Sequence, residues 1–109
     1  MATRINLRVP VFGLRLIVHV GDEDAREKYI KEVQKLYEVT HTPDLSTSSG
    51  NSFGSLIWIK EPDISTLAHE LCHFADASLD HLGIDDTSGE VRAYLVGYCM
   101  DKLKDRIHG

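Results

Sequence analysis

Ala68-His69-Glu70-Leu71-Cys72-His73 sets two histidines four positions apart, with a glutamate directly after the first. On a helix, side chains at i and i+4 lie one above the other, so both imidazoles converge on a single ion. Glu70, one step round the helix, then stands beside the open coordination position, where a carboxylate takes a proton from a coordinated water. The flanking residues supply the helix: Ile64, Leu67, Leu71, Phe74, Ala75 and Leu82 recur at helical spacing. Asp63, after Pro62, predicts an N-cap, and Gly83 predicts a stop.

Directly upstream, Ser55-Leu56-Ile57-Trp58-Ile59-Lys60 reads as a strand that feeds the motif helix. As an exposed edge it would offer unpaired N–H and C=O groups to an extended peptide; Trp58 and its isoleucine neighbours suit an interior strand equally well. Downstream, Gly83 to Gly89 predicts a turn and the cap of a last helix, about Glu90 to Arg106. Glu90, Ala93, Tyr94, Gly97, Tyr98 and Asp101 share one face of it, where the small Ala93 and Gly97 would admit a neighbouring helix and bring Glu90 towards the histidines. Val91, Leu95, Val96, Cys99 and Leu103 fill the other contacts.

The first half of the chain reads as scaffold. Ile5 to Pro10 and Leu14 to Val20 are strand-like runs of Val, Ile and Leu joined by Pro10-Val11-Phe12-Gly13. The second run is almost continuously apolar, as in a strand covered on both faces, with His19 at the core margin. Asp22 predicts the N-cap of a helix from Glu23 to about Val39, with Ala25, Tyr29, Val33, Leu36 and Tyr37 as its apolar stripe. The opposite-sign neighbours Glu27 with Lys31, and Lys28 with Glu32, lie on its wet face and read as a solvated surface. Thr40 to Gly54 is too polar for a core element and reads as a loop, either a mobile lid over a cleft or a surface hairpin tip, the hairpin tip being favoured.

The chain has 109 residues, which fits one domain over 1–109 with a modest core: an α+β fold in which a small sheet of three or four strands packs against three helices. Twelve basic against seventeen acidic residues give a net charge of −5, which disfavours a nucleic-acid or anionic-membrane partner but leaves room for a local basic patch. No stretch is long and apolar enough to span a bilayer, and Met1-Ala2-Thr3-Arg4 leads into alternating residues rather than a signal segment, so a cytoplasmic protein is expected. Cys72 and Cys99 fall within apolar helical patterns and read as reduced thiols, Cys72 pointing off the histidine face. Oligomeric state is not written in the sequence.

The motif and its helical context resemble the zincin metallopeptidases. The metzincin branch needs a Gly and a His further along the same helix, where this chain has Asp76 and Leu79. The gluzincin branch takes its third ligand from a glutamate on a second helix, and Glu90 in Ser88-Gly89-Glu90-Val91-Arg92-Ala93-Tyr94 fits that role. The chain is also similar to small, uncharacterised phage-encoded proteins that carry an H-E-x-x-H helix and a Glu-x-x-Ala-Tyr helix. The resemblance implies a zinc ion on His69, His73 and Glu90, with Asp76, Asp85 and Asp86 as rival third ligands. It implies a peptide or protein substrate, cleaved with Glu70 as general base. Tyr94 would hydrogen-bond an oxyanion or steady a ligand, with Tyr98 and His81 as rivals. It also implies a strand at the rim of the cleft, the sequence position that Ser55 to Lys60 occupies. A metal-stabilised module that captures a peptide without cutting it is the alternative; Glu70 favours catalysis, because structural zinc sites are closed by four protein ligands and have no use for a base.

Overall fold

A computed structural model describes residues 2–41 and 44–109, so positions 42–43 of the polar stretch lie outside the described residues. The order is β1 (Thr3–Val9), β2 (Leu14–Val20), α1 (Glu23–Tyr37), β3 (Gly50–Phe53), β4 (Leu56–Ile59), α2 (Ile64–Leu82), α3 (Glu90–Leu103) and a short 3-10 helix, Arg106–His108. The fold is α+β, with one four-stranded mixed sheet in the order β1-β2-β4-β3 and three α-helices. β2 and β4 run parallel, joined through α1, whereas β1–β2 and β3–β4 are antiparallel.

The sheet sorts side chains by parity. Ile5, Leu7, Val9, Leu16, Val18, Val20, Ile57 and Ile59 face α2 and α3, meeting Leu67, Leu71, Phe74, Ala75, Leu95, Cys99 and Leu103. On the opposite face Ile17, Leu56 and Trp58 meet Ala25, Tyr29 and Val33 of α1, with Leu45 folded in from the following loop. This two-sided burial explains the nearly unbroken apolar run of β2. It also resolves the position of β4, which is an interior strand with all four residues fully buried. The edge beside α2 belongs instead to β3, which sequence polarity had marked as a loop or hairpin tip. Phe53 pairs with Leu56 across a two-residue turn, Gly54-Ser55, and Gly54 takes φ +57°, which a glycine adopts freely.

The ends of α2 follow the expectation. The Asp63 carboxylate accepts from the Thr66 N–H at 2.9 Å and the Thr66 hydroxyl at 2.6 Å. At the other end Gly83 sits at φ +68°, and the Ile84 N–H closes on Leu79 O at 3.0 Å. Two other expectations change. Asp22 stands at the N-cap of α1 without a side-chain cap bond, and Asp24 instead accepts from the Ala25 N–H at 2.8 Å. Glu32 leaves Lys28 and binds Arg4 Nη2 at 2.7 Å and His19 Nε2 at 2.6 Å, because it lies where α1 overhangs β1 and β2.

Candidate metal centre

α2 leaves His69 and His73 exposed, turns Glu70 inward to 5 % exposure and buries Leu67, Leu71, Phe74 and Ala75 against the sheet. The two imidazole Nε2 atoms lie 3.3 Å apart, with the rings close to perpendicular at 79°. Two nitrogens each about 2.0–2.1 Å from a tetrahedral zinc stand about 3.3–3.4 Å from one another. The pair therefore already has the bite of two zinc ligands.

Glu70 lies between these histidines and the first residue of β3. A Cβ built on Gly50 would come within 3.1 Å of Glu70 Oε2, 3.0 Å of Thr66 Cγ2 and 3.1 Å of Trp58 O. Glycine is what lets the strand pass this close to the motif helix. Two adjoining open hollows of ≈ 460 and ≈ 450 Å³ meet at Gly50, His69 and Glu70. One extends along Thr47, Ser48 and Ser49 to Ser65 and Thr66, the other along Asn51, Ser52 and Gly54 to His73 and Ala77.

One long wall of this cleft is the free side of β3. The Lys60 N–H donates to Ser49 O at 2.8 Å, and antiparallel alternation then puts the ladder bonds of β3 on Asn51 and Phe53. The backbone N–H and C=O groups of Gly50 and Ser52 consequently point outward, and their side-chain positions face α2. Behind the strand, the Tyr29 hydroxyl donates to Asn51 Oδ1 at 2.7 Å and holds β3 to α1. Burial, and secondly the Glu70 charge, push the Tyr29 phenol up, so it stays a donor.

The other candidate residues are placed differently. Glu90 is exposed on the first turn of α3. Ala93 and Gly97 also face solvent, and a Cβ on Gly97 would meet nothing within 4 Å, so these small residues do not form the approach to α2. The helices join instead through Leu95, Cys99 and Leu103 and through Arg92, whose Nε donates to Asp76 Oδ1 at 2.7 Å. Asp86 serves as the cap of α3, its two oxygens accepting from the Val91 and Arg92 N–H groups at 3.1 and 2.9 Å. Asp85 is exposed. Tyr94 packs on Phe12 and stacks on Tyr98, each at 6.0 Å between centroids, and none of Tyr94, Tyr98 or His81 lines the cleft. Among the described residues no three His, Cys, Asp or Glu side chains gather around one point. Cys72 is half-buried beside Arg92, and burial pushes the Cys99 thiol up to about 12.

Sequence reasoning weighed this stretch as a lid over a cleft or a hairpin tip, but missed that Gly50–Phe53 is a strand and that Gly50 and Ser52 line the cleft. The signal available was the hairpin: Gly54-Ser55 directly before an apolar strand marks a two-residue turn, and a turn of that kind requires a partner strand upstream. No family model, curated protein or solved structure matches the chain.

Proposed function

We propose that this chain is a zinc-dependent peptidase of the zincin type, with a glutamate as third ligand. One observation carries the reading: two histidine Nε2 atoms at 3.3 Å, next to the inward-turned Glu70 and the free edge of a strand. His69 and His73 would hold the zinc through Nε2, and Glu90 is the carboxylate assigned to complete the set. Zinc, when bound, supplies the Lewis acidity that acidifies a water and polarises a carbonyl. Glu70 accepts the proton of the attacking water and hands it to the leaving amine. The outward backbone groups of Gly50 and Ser52 align an extended peptide along β3. Tyr94, stacked between Phe12 and Tyr98, steadies the first turn of α3 on which Glu90 rides.

Glu70→Gln tests this. The amide keeps the size and polarity but takes no proton at neutral pH. Zinc content and melting temperature are expected to hold, while cleavage of a fluorogenic peptide library falls about a hundredfold or more. A second reading rests on the same free edge: a metal-stabilised module that captures a peptide without hydrolysis. It takes over if zinc-loaded wild type and Glu70→Gln retain the same peptides equally and neither releases products.

A further inference from the structure

The part of the α1-side face of the sheet that α1 leaves open is basic in an acidic protein. Arg4, Asn6 and Arg8 of β1 and Arg15 of β2 point to the α1 side, and all four are exposed. α1 packs mainly on β2 and β4, so these residues stay exposed, bordered by Lys28, Lys31 and Lys35 along the helix. Arg4 and the three lysines line one open groove of ≈ 340 Å³ with His19 and Glu32 at its base. Six of the twelve Lys and Arg residues of the chain thus lie on this one face.

Two details show that the charge is not used internally. Arg8 and Arg15 are directly opposed in the β1–β2 register, an arrangement of like charges that works against strand pairing. Glu32 is the carboxylate in this groove, and it is engaged by Arg4 and His19. Among the described residues, Arg8, Arg15, Lys28, Lys31 and Lys35 make no ion pair. Arg4 and Arg8 stand about 13 Å apart along the strand, and Lys28 to Lys35 spans about 10 Å of helix. The face therefore presents two roughly parallel rows of cations over an area that suits a short extended segment.

We propose that this face docks an acidic segment of a partner protein. Carboxylate side chains match the forked guanidinium groups of Arg8 and Arg15 and relieve their mutual repulsion. A nucleic acid fits less well. The exposed part of the face offers no aromatic ring for base stacking. The rest of the chain, holding the other sixteen carboxylates against six cations, would also repel a long polyphosphate.

The experiment is a titration of the isotope-labelled, zinc-loaded chain with a glutamate-rich peptide, followed by amide chemical shifts and fluorescence anisotropy. Shifts are expected at residues 4–15 and 28–35, and Arg8→Glu is expected to weaken binding by at least about tenfold. The same substitution replaces a repulsive cross-strand pair with an attractive one, so its melting temperature should rise while binding falls. A merely structural role for Arg8 would lower both. Lys102→Glu with Lys104→Glu, outside the face, should leave binding unchanged. Absence of binding at low salt, equal weakening by the Lys102/Lys104 variant, or tighter binding of a single-stranded oligothymidylate at this face would each overturn the proposal.

Discussion

At His19 the imidazole Nε2 lies 2.6 Å from Glu32 Oε1, whereas at His69 and His73 the two Nε2 atoms lie 3.3 Å from each other. In the first region the imidazole is spoken for within the chain. His19 is 2 % exposed, Glu32 bonds it with one oxygen, and the other oxygen takes Arg4 at 2.7 Å. The second region uses the same residue types and leaves both imidazole edges open to a cleft. One histidine–glutamate set has its partners within the fold; in the other the two imidazole nitrogens meet beside an open cleft. Fold and site can thus be perturbed separately.

The widest separation is expected between His73→Ala and His19→Ala. His73→Ala should lower zinc affinity about a hundredfold or more, since even the supporting partners of ligands are worth 10- to 100-fold, while the metal-free fold stays intact. His19→Ala should keep stoichiometric zinc and lose about 1–3 kcal/mol of stability, the usual result of removing one partner of a buried hydrogen bond. Metal analysis alongside urea melts of the two variants reads both, and equal zinc loss in both would erase the distinction. Cys72→Ser should keep the metal.

Chelation extends the comparison to α3. If Glu90 completes the set, zinc ties α2 to α3 and stabilises the fold by about 2.7 kcal/mol at a hundredfold excess over Kd. Removing it should lower the melting temperature, and Glu90→Ala should abolish that difference. A melting curve indifferent to chelator, from protein that demonstrably holds zinc, would mean that folded and unfolded chains bind it alike, and would count against a site built from two helices.

Two glycines give a smaller contrast within the candidate site. Gly50→Ala puts a methyl 3.0–3.1 Å from Thr66, Glu70 and Trp58 and should cost about 1–3 kcal/mol by overpacking. Gly97→Ala meets nothing within 4 Å in the exposed middle of α3 and should add about 0.5–1 kcal/mol. If Gly50→Ala melted like wild type, β3 would not be pinned against the motif helix.

What sequence made legible follows the same division. The motif helix, its caps, the two-sided strand β2 and the Leu95–Cys99–Leu103 stripe were readable because burial imposes a period on them. β3 was not, because its residues Gly50, Asn51 and Ser52 are selected by a close approach and a cleft rather than by a core. Glu32 offered a local partner four residues away in Lys28, and the tertiary pair with Arg4 and His19 won, a result no helical spacing contains. The face of Glu90, Ala93 and Gly97 was identified as a face, but its direction depends on how α3 settles on β1, which sequence does not fix.

The smallest expected effect is a pH slope set by His19 and Glu32. Burial holds the His19 pKa below 6.5 despite the facing Glu32, and Arg4, followed by His19, holds the Glu32 carboxyl below 4.5. Below 6.5 the unfolded chain takes a proton at His19 more readily than the folded one, so stability falls as pH drops from there towards the folded value. The Glu32 contribution is present above 4.5 and is lost as pH falls through its depressed folded pKa. Both act in the same direction but in successive windows. Acid also strips metal from histidine ligands, so the measurement is made on chelated protein, where the open pair contributes no zinc-linked stability. Urea midpoints taken between about pH 7 and 5 should decline in wild type and flatten in His19→Ala, with a common decline returning at lower pH as carboxylates protonate. Parallel curves for the two proteins above pH 5 would mean that His19 titrates alike in both states, and that its burial does not outweigh the facing Glu32.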